Sequence, residues 1–233
     1  MNNTLVIQGC TMRFGGLTAI TDFELTLERG KLIGIIGPNG AGKTTLFNLL
    51  TGVYRPTTGK LFFDGHDLTT LSTARINRCG VARTFQNIRL FGDLTVLDNV
   101  LVAMHGAMRS SLWHVAFNTR RLQDEVKVTM TRATDLLREF GLQDQHHFFA
   151  RHLPYGDQRK LEIVRALATQ PRLLLLDEPA AGMNPTEKNE LMTLIRRLNQ
   201  ERGLTVILIE HDMNVVMNLC PQLVVLDYGV TIA

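Results

Sequence analysis

The segment Gly37-Pro38-Asn39-Gly40-Ala41-Gly42-Lys43-Thr44 matches G-x-x-x-x-G-K-[ST] in full. A loop of this kind turns its backbone N–H groups toward phosphate oxygens, which requires glycine wherever a Cβ would clash. It also requires a strand before it and a helix after it, because the helix N-terminus adds its partial positive charge to the site. Residues 32–36 are a continuous apolar run and read as a buried strand, and residues 44–50 read as the helix. Lys43 supplies a point charge to the outer phosphates, and Thr44 offers a hydroxyl to Mg2+. The expectation is a nucleoside triphosphate held with magnesium at residues 37–45 and hydrolysed there.

The rest of the chain reads as the frame such a loop needs. Residues 5–7 and 23–27 look like short strands, the second with period-two alternation. Residues 61–63 look like another, followed by the turn Asp64-Gly65. The solid apolar runs at 173–176 and 205–209 suit strands covered on both faces of a parallel sheet, with an amphipathic helix at 187–200 between them. From about 93 to 143 the pattern turns helical. Leu122, Val126, Thr129, Ala133, Leu136, Leu137 and Phe140 recur at three- and four-residue steps, and Gly141 is a plausible stop. The reading is one α/β domain over 1–233, with a core at about 1–89 and 161–233 and a helical insertion at about 90–160.

Composition narrows the setting. Basic residues exceed acidic ones by 25 to 22, too small an excess to argue for a nucleic-acid partner. Cys10, Cys79 and Cys220 lie far apart and make neither a metal-ligand spacing nor a disulfide framework, so a reducing compartment fits best. The start lacks a signal-peptide pattern. No apolar run approaches the roughly 18 to 20 residues of a membrane helix, so work at a membrane would go through a partner. The last residues follow a strand-and-turn signal and leave room for a further tail.

Three more constellations bear on the chemistry. The run 173–176 ends in Asp177-Glu178. Asp177 can hold the water shell of magnesium, and Glu178 can orient or deprotonate an attacking water. Taken alone, the pair could be a helix cap or a solvated strand end. His211 follows the strand at 205–209 and could contact a terminal phosphate, although a lone histidine is more often structural. The segment from Leu153 to Leu167 places a tight Gly156 turn at the start of a helix, another anion-binding geometry. Gln86, in Arg83-Thr84-Phe85-Gln86-Asn87, has no distinct signal of its own.

In this order, phosphate loop, Gln86, Gly156 segment, Asp177-Glu178 and His211 resemble the ATP-binding subunit of an ABC transporter over essentially the whole chain. The resemblance implies the P-loop NTPase core of the ABC ATPases, with an α-helical subdomain inserted between the glutamine loop and the signature segment. It implies ATP and Mg2+ as ligands. Phe14 is similar to the aromatic that stacks on adenine. Gly37, Pro38, Asn39, Gly40, Ala41, Gly42, Lys43, Thr44 and Thr45 resemble the phosphate and magnesium grip. Gln86 resembles the glutamine that touches Mg2+ and reports to the membrane subunit, Asp177 the magnesium carboxylate, Glu178 the catalytic base and His211 the switch histidine. Residues Ala181-Gly182-Met183-Asn184 resemble the loop that crosses a dimer interface. The signature Leu-Ser-Gly-Gly-Gln is replaced by Leu153-Pro154-Tyr155-Gly156-Asp157. Pro154 offers neither the serine hydroxyl nor an N–H, so contact with the other subunit's nucleotide rests on Gly156.

Longer stretches narrow the resemblance. Phe14-Gly15-Gly16-Leu17-Thr18-Ala19, the run from Arg83 to Phe91, the Tyr155-Gly156-Asp157-Gln158 variant, Pro179-Ala180-Ala181-Gly182-Met183-Asn184-Pro185 and Glu210-His211-Asp212-Met213 together look like the ATPases of branched-chain amino acid importers. Urea and amide importers share much of this pattern. The resemblance implies a second ATPase subunit in a nucleotide sandwich, two transmembrane permease subunits, an indirect periplasmic binding protein and a peripheral place on the cytoplasmic face of the membrane. Tyr54, Phe91, Leu94 and Val96 are candidate apolar contacts to a membrane subunit, although core packing is the commoner role for any one of them. A soluble ABC ATPase acting on DNA would interrupt the fold with a long coiled coil, and one acting on the ribosome usually carries two ATPase halves; the chain has neither. A kinase or GTPase of the phosphate-loop type would lack the Gly156 segment and His211.

Overall fold

Two long antiparallel strands open the chain, β1 (Asn3–Phe14) and β2 (Leu17–Glu28), where the sequence predicts only 5–7 and 23–27. Register shifts between Ile7 and Cys10 and between Cys10 and Met12 explain the shortfall, because each slip breaks the alternation a reader follows. Gly9 sits there at φ 55. The chain continues through β3 (Leu32–Ile36), α1 (Lys43–Leu50), β4 (Thr58–Phe63), β5 (His66–Asp67), α2 (Thr73–Arg78) and β6 (Val81–Arg83). Three helices follow, α3 (Val96–His105), α4 (Arg120–Glu139) and α5 (Tyr155–Ala168). Then come β7 (Leu173–Asp177), α6 (Pro185–Arg202), β8 (Thr205–Ile209), α7 (Met213–Leu219), β9 (Gln222–Asp227) and β10 (Val230–Thr231). This computed structural model describes residues 3–105 and 120–233, so the helical pattern expected across 106–119, and the side chain of Leu122, lie outside the described residues.

Residues up to Gln86 together with Pro171–Ala233 form one unit, and Asn87–Gln170 the other. The first unit holds two sheets. One is antiparallel in the order β2-β1-β4-β5, closed at one edge by the turn at Asp64 and Gly65, both at positive φ. The other has the order β10-β9-β3-β8-β7-β6 and is parallel except for its short edge strand β10. Every residue of β7 and β8 is buried, which is why both read as unbroken apolar runs. Strand β6 has three residues, too short to announce itself by periodicity. Helix α6 is longer at both ends than the sequence pattern. Pro185 occupies its first turn, Asn184 and Glu187 close a reciprocal capping box, and Gly203 ends it at φ 60.

The second unit is built on α3, α4 and α5, each packed against the other two. All of α5 belongs to this unit, whereas the sequence reading returns to the core at 161; its packing against α3 and α4 holds it there. On α4 the predicted stripe buries Ala133, Leu136 and Leu137, but Val126 is 45% exposed. The helix has 20 residues against 10 and 14 in its described partners. Val96, a predicted docking residue, is fully buried and serves the core. Asn99, also fully buried, is the staple of the loop before α3. Its side chain accepts from Phe91 N–H at 3.0 Å and donates to the carbonyls of Phe91 and Thr95 at 3.0 and 2.9 Å. No described helix is long and apolar enough to cross a membrane.

Candidate functional site

The loop leaving β3 needs its glycines for close approach. Gly37 lies at φ 152, and a Cβ there would sit 2.0 Å from the carbonyl oxygen of Leu226. Gly42 lies at φ 101, and a Cβ there would sit 2.5 Å from the carbonyl oxygen of Ala19. A side chain at either position would force the loop away from strands that brace it. Between them, Ala41 accepts from Gly229 N–H at 3.0 Å, tying the loop to the turn after β9. Gly42 caps α1, so the free N–H groups of that helix open onto the loop.

Lys43 is 6% exposed and donates from Nζ to the carbonyls of Gly37 and Pro38, at 2.7 and 2.8 Å. Burial lowers its pKa, while Glu178 and Asp177 work in the opposite direction. Thr44 and Thr45 follow in the first turn of α1. A cleft of about 330 Å3 gathers Phe14, Asn39, Gly40, Gly42, Lys43, Thr44, Thr45, Gln86, Glu178 and His211, with Leu17 and Ala19 on its wall. That volume is of small-ligand size. Phe14 is 40% exposed there and meets Tyr54 edge to face, with ring centroids 5.1 Å apart. Tyr54, predicted as a contact to a membrane subunit, thus stands beside the aromatic at the cleft.

Glu178 is the hub. It lies in the left-handed region at φ 48, rare for a residue with a side chain, and its N–H donates to Ile209 O at 2.9 Å. Its carboxylate accepts from Gln86 Nε2 at 2.9 Å on Oε2 and meets His211 Nε2 at 2.8 Å on Oε1. The second contact places a proton on Nε2 of His211, since the carboxylate can only accept. Gln86, which the sequence offered as an ordinary loop amide, and His211, 125 residues on by their numbers (211 − 86), therefore share one carboxylate.

Asp177 is 2% exposed and does not line the cleft. Its Oδ2 accepts from Arg83 at 2.7 Å in a pair that is nearly solvent-free on both sides. Arg83 also donates to Asn48 Oδ1 on α1 at 2.7 Å and lies over the rings of Phe47 and Phe85. Sequence reading quoted Arg83 in a motif without a role, because nothing local shows that it reaches a residue 94 positions away. Nothing local marks Glu210 either. It is 4% exposed and accepts from Ala180 N–H at 2.8 Å and His211 N–H at 3.1 Å. Burial raises its pKa; the backbone N–H groups of Ala180, His211 and Asp212 oppose that, and Glu178 adds to it.

Oxygen donors suit magnesium, and Thr44, Gln86 and Asp177 supply a hydroxyl, an amide and a carboxylate. Among the described residues there is no group of three or more His, Cys, Asp or Glu that could hold a metal ion. Gly156 belongs to the second unit. It is not in a tight turn, as the sequence suggested, but inside the first turn of α5, buried, with Pro154 as the residue before the helix. Pro154 supplies no side-chain cap, while Asp157 places a negative charge in the first turn and accepts from Gln145 at 3.0 Å.

A family model described as ABC transporter matches residues 20–181. The high-affinity branched-chain amino acid transport ATP-binding protein BraF of Pseudomonas aeruginosa is 44% identical over 229 residues, which cover 98% of this chain and 90% of BraF. The corresponding LivG of Escherichia coli K12 is 44% identical over 232 residues, with the same coverage. Among solved structures, a nucleotide-free ATP-binding cassette from an ABC transporter matches with a TM-score of 0.86 at 29% identity, covering 99% of this chain and 90% of that one.

Proposed function

The chain belongs to the ABC transporter family as an ATP-binding, ATP-hydrolysing subunit, and from that membership we propose that it drives import of branched-chain amino acids across a membrane. The observation that carries the catalytic part is the Glu178 carboxylate, held between Gln86 and His211 at the mouth of the phosphate-loop cleft. The 44% identity to BraF and LivG over nearly the whole chain supports the solute class.

In this reading the adenine lies against Phe14, and the phosphates lie on the N–H groups of 37–42 and the start of α1. Lys43 turns from its own loop carbonyls to the outer phosphates. Thr44, Gln86 and Asp177 would hold Mg2+ and its water, and the ion would supply positive charge against the phosphates. Glu178 orients the attacking water and takes its proton, and His211 keeps Glu178 in place and faces the terminal phosphate. The nucleotide is then closed over by the Gly156 segment of a second ATPase subunit, so hydrolysis waits on assembly. Two permease subunits receive the motion at the cytoplasmic face of the membrane, and a periplasmic binding protein delivers the solute to them.

Glu178→Gln tests the catalytic half. It keeps the shape and the contact to Gln86 or His211 but cannot take a proton, so ATP binding persists while turnover disappears. Unchanged turnover would overturn the base assignment. For the solute, deleting the gene in its host should lower uptake of labelled leucine, isoleucine and valine and leave urea uptake alone. The reverse pattern would reject the amino-acid reading.

A further inference from the structure

Glu210 is a buried carboxylate that serves one backbone N–H far away in sequence and that of its own neighbour. Its Oε1 takes the N–H of Ala180, in the segment that leaves β7 two residues after Glu178. Its Oε2 takes the N–H of His211, the residue whose ring meets Glu178. A buried acceptor of this kind is costly unless each oxygen is satisfied, so the two N–H groups and the carboxylate hold one another in register. Ser or Thr would reach one donor, not both. Glutamine would meet one donor with its oxygen and oppose the other with its NH2.

We propose that Glu210 is a positioning residue, which clamps the backbone of Ala180 to that of His211 and so sets the 2.8 Å contact between His211 and Glu178. The inference rests on the proposed roles of Glu178 and His211 and deepens them. A shift of the segment 180–184 is passed through Glu210 to His211. The residues that follow β7 and those that follow β8 move together, and the histidine ring leaves or meets Glu178 as they do. A second link ties α6 to the same end of β8, with Lys188 donating to Asp212, the N-cap of α7, at 2.6 Å.

The test uses the full chain and reads turnover separately from affinity. Glu210→Gln should lower kcat for ATP hydrolysis about 10- to 100-fold, the scale of a small misplacement of a catalytic group, with ATP affinity unchanged. On a His211→Ala background, the same substitution should add no further loss of residual single-turnover rate. A parental kcat, a matching loss of affinity, or a full additional loss on that background each overturns the clamp. If Glu210→Gln does not fold, hydrogen exchange of the unaltered chain decides. The Ala180 and His211 amides should be protected and exchange at one common rate, and free exchange at either overturns the proposal. Glu178→Gln separates the two levels: turnover surviving there removes the catalytic reading and this inference with it, whereas an inactive Glu178→Gln beside a fully active Glu210→Gln removes only the clamp.

Discussion

Lys43 and Asp177 show how single side chains are poised before any ligand is considered. Lys43 is buried, and its ammonium is satisfied by two carbonyls of its own loop, so the cation is held within the loop and not in solvent. Lys43→Ala removes a charge-assisted partner worth about 1.5–3 kcal/mol, or roughly 10- to 100-fold in nucleotide affinity, measurable by titration calorimetry. Asp177 is held differently, in a buried pair with Arg83. Arg83→Met leaves Asp177 buried with its charge uncompensated, and urea unfolding should report a loss of about 3–5 kcal/mol. The phosphate loop and the carboxylates that end β7 are legible because each is a local pattern, whereas His211 stands out only through the order of the motifs. Arg83 and Glu210 are not legible, since their partners Asp177 and Ala180 are far along the chain and only the fold brings them near.

At the scale of elements, the segment between Glu178 and α6 ends in a device that fixes its exit. Asn184 accepts from Glu187 N–H at 3.0 Å, and Glu187 accepts from Asn184 N–H at 2.9 Å. Asn184→Ala should therefore cost about 0.5–2 kcal/mol in chemical denaturation, the range for a lost cap. Glu187→Gln should cost less, because an amide oxygen still reaches back to the same N–H. Buried strands such as β7 and β8 were readable in sequence since both faces are covered, and α6 since one face is apolar. The full length of β1 and β2 was hidden by register shifts, and β6 by brevity. Gly156 misled for a related reason. A glycine at the head of a helical run reads as a turn, yet here Pro154 precedes the helix and Gly156 is buried inside its first turn.

Across the whole molecule, the three cysteines report on how tightly the first unit is closed. None is in a disulfide. Burial pushes the Cys10 thiol up to about 11 and the Cys220 thiol up to about 12, the latter helped by the charge of Glu210. At pH 8 both are thiols and shielded, so a disulfide reagent should modify half-buried Cys79 first. Cys10 and Cys220 should follow only as fast as the fold opens, and in denaturant all three should react at once. The same shifts fix a sign for stability. Below pH 9 the folded and unfolded thiols are both protonated and the contribution is intact. Above it the unfolded chain ionises while the folded chain does not, so stability falls as pH rises through about 11 to 12. Other groups titrate in that window, and Cys220→Ala isolates the thiol. Its thermal midpoint should decline less steeply between pH 9 and 12 than that of the parent, and parallel declines would show that Cys220 is not held as a buried thiol.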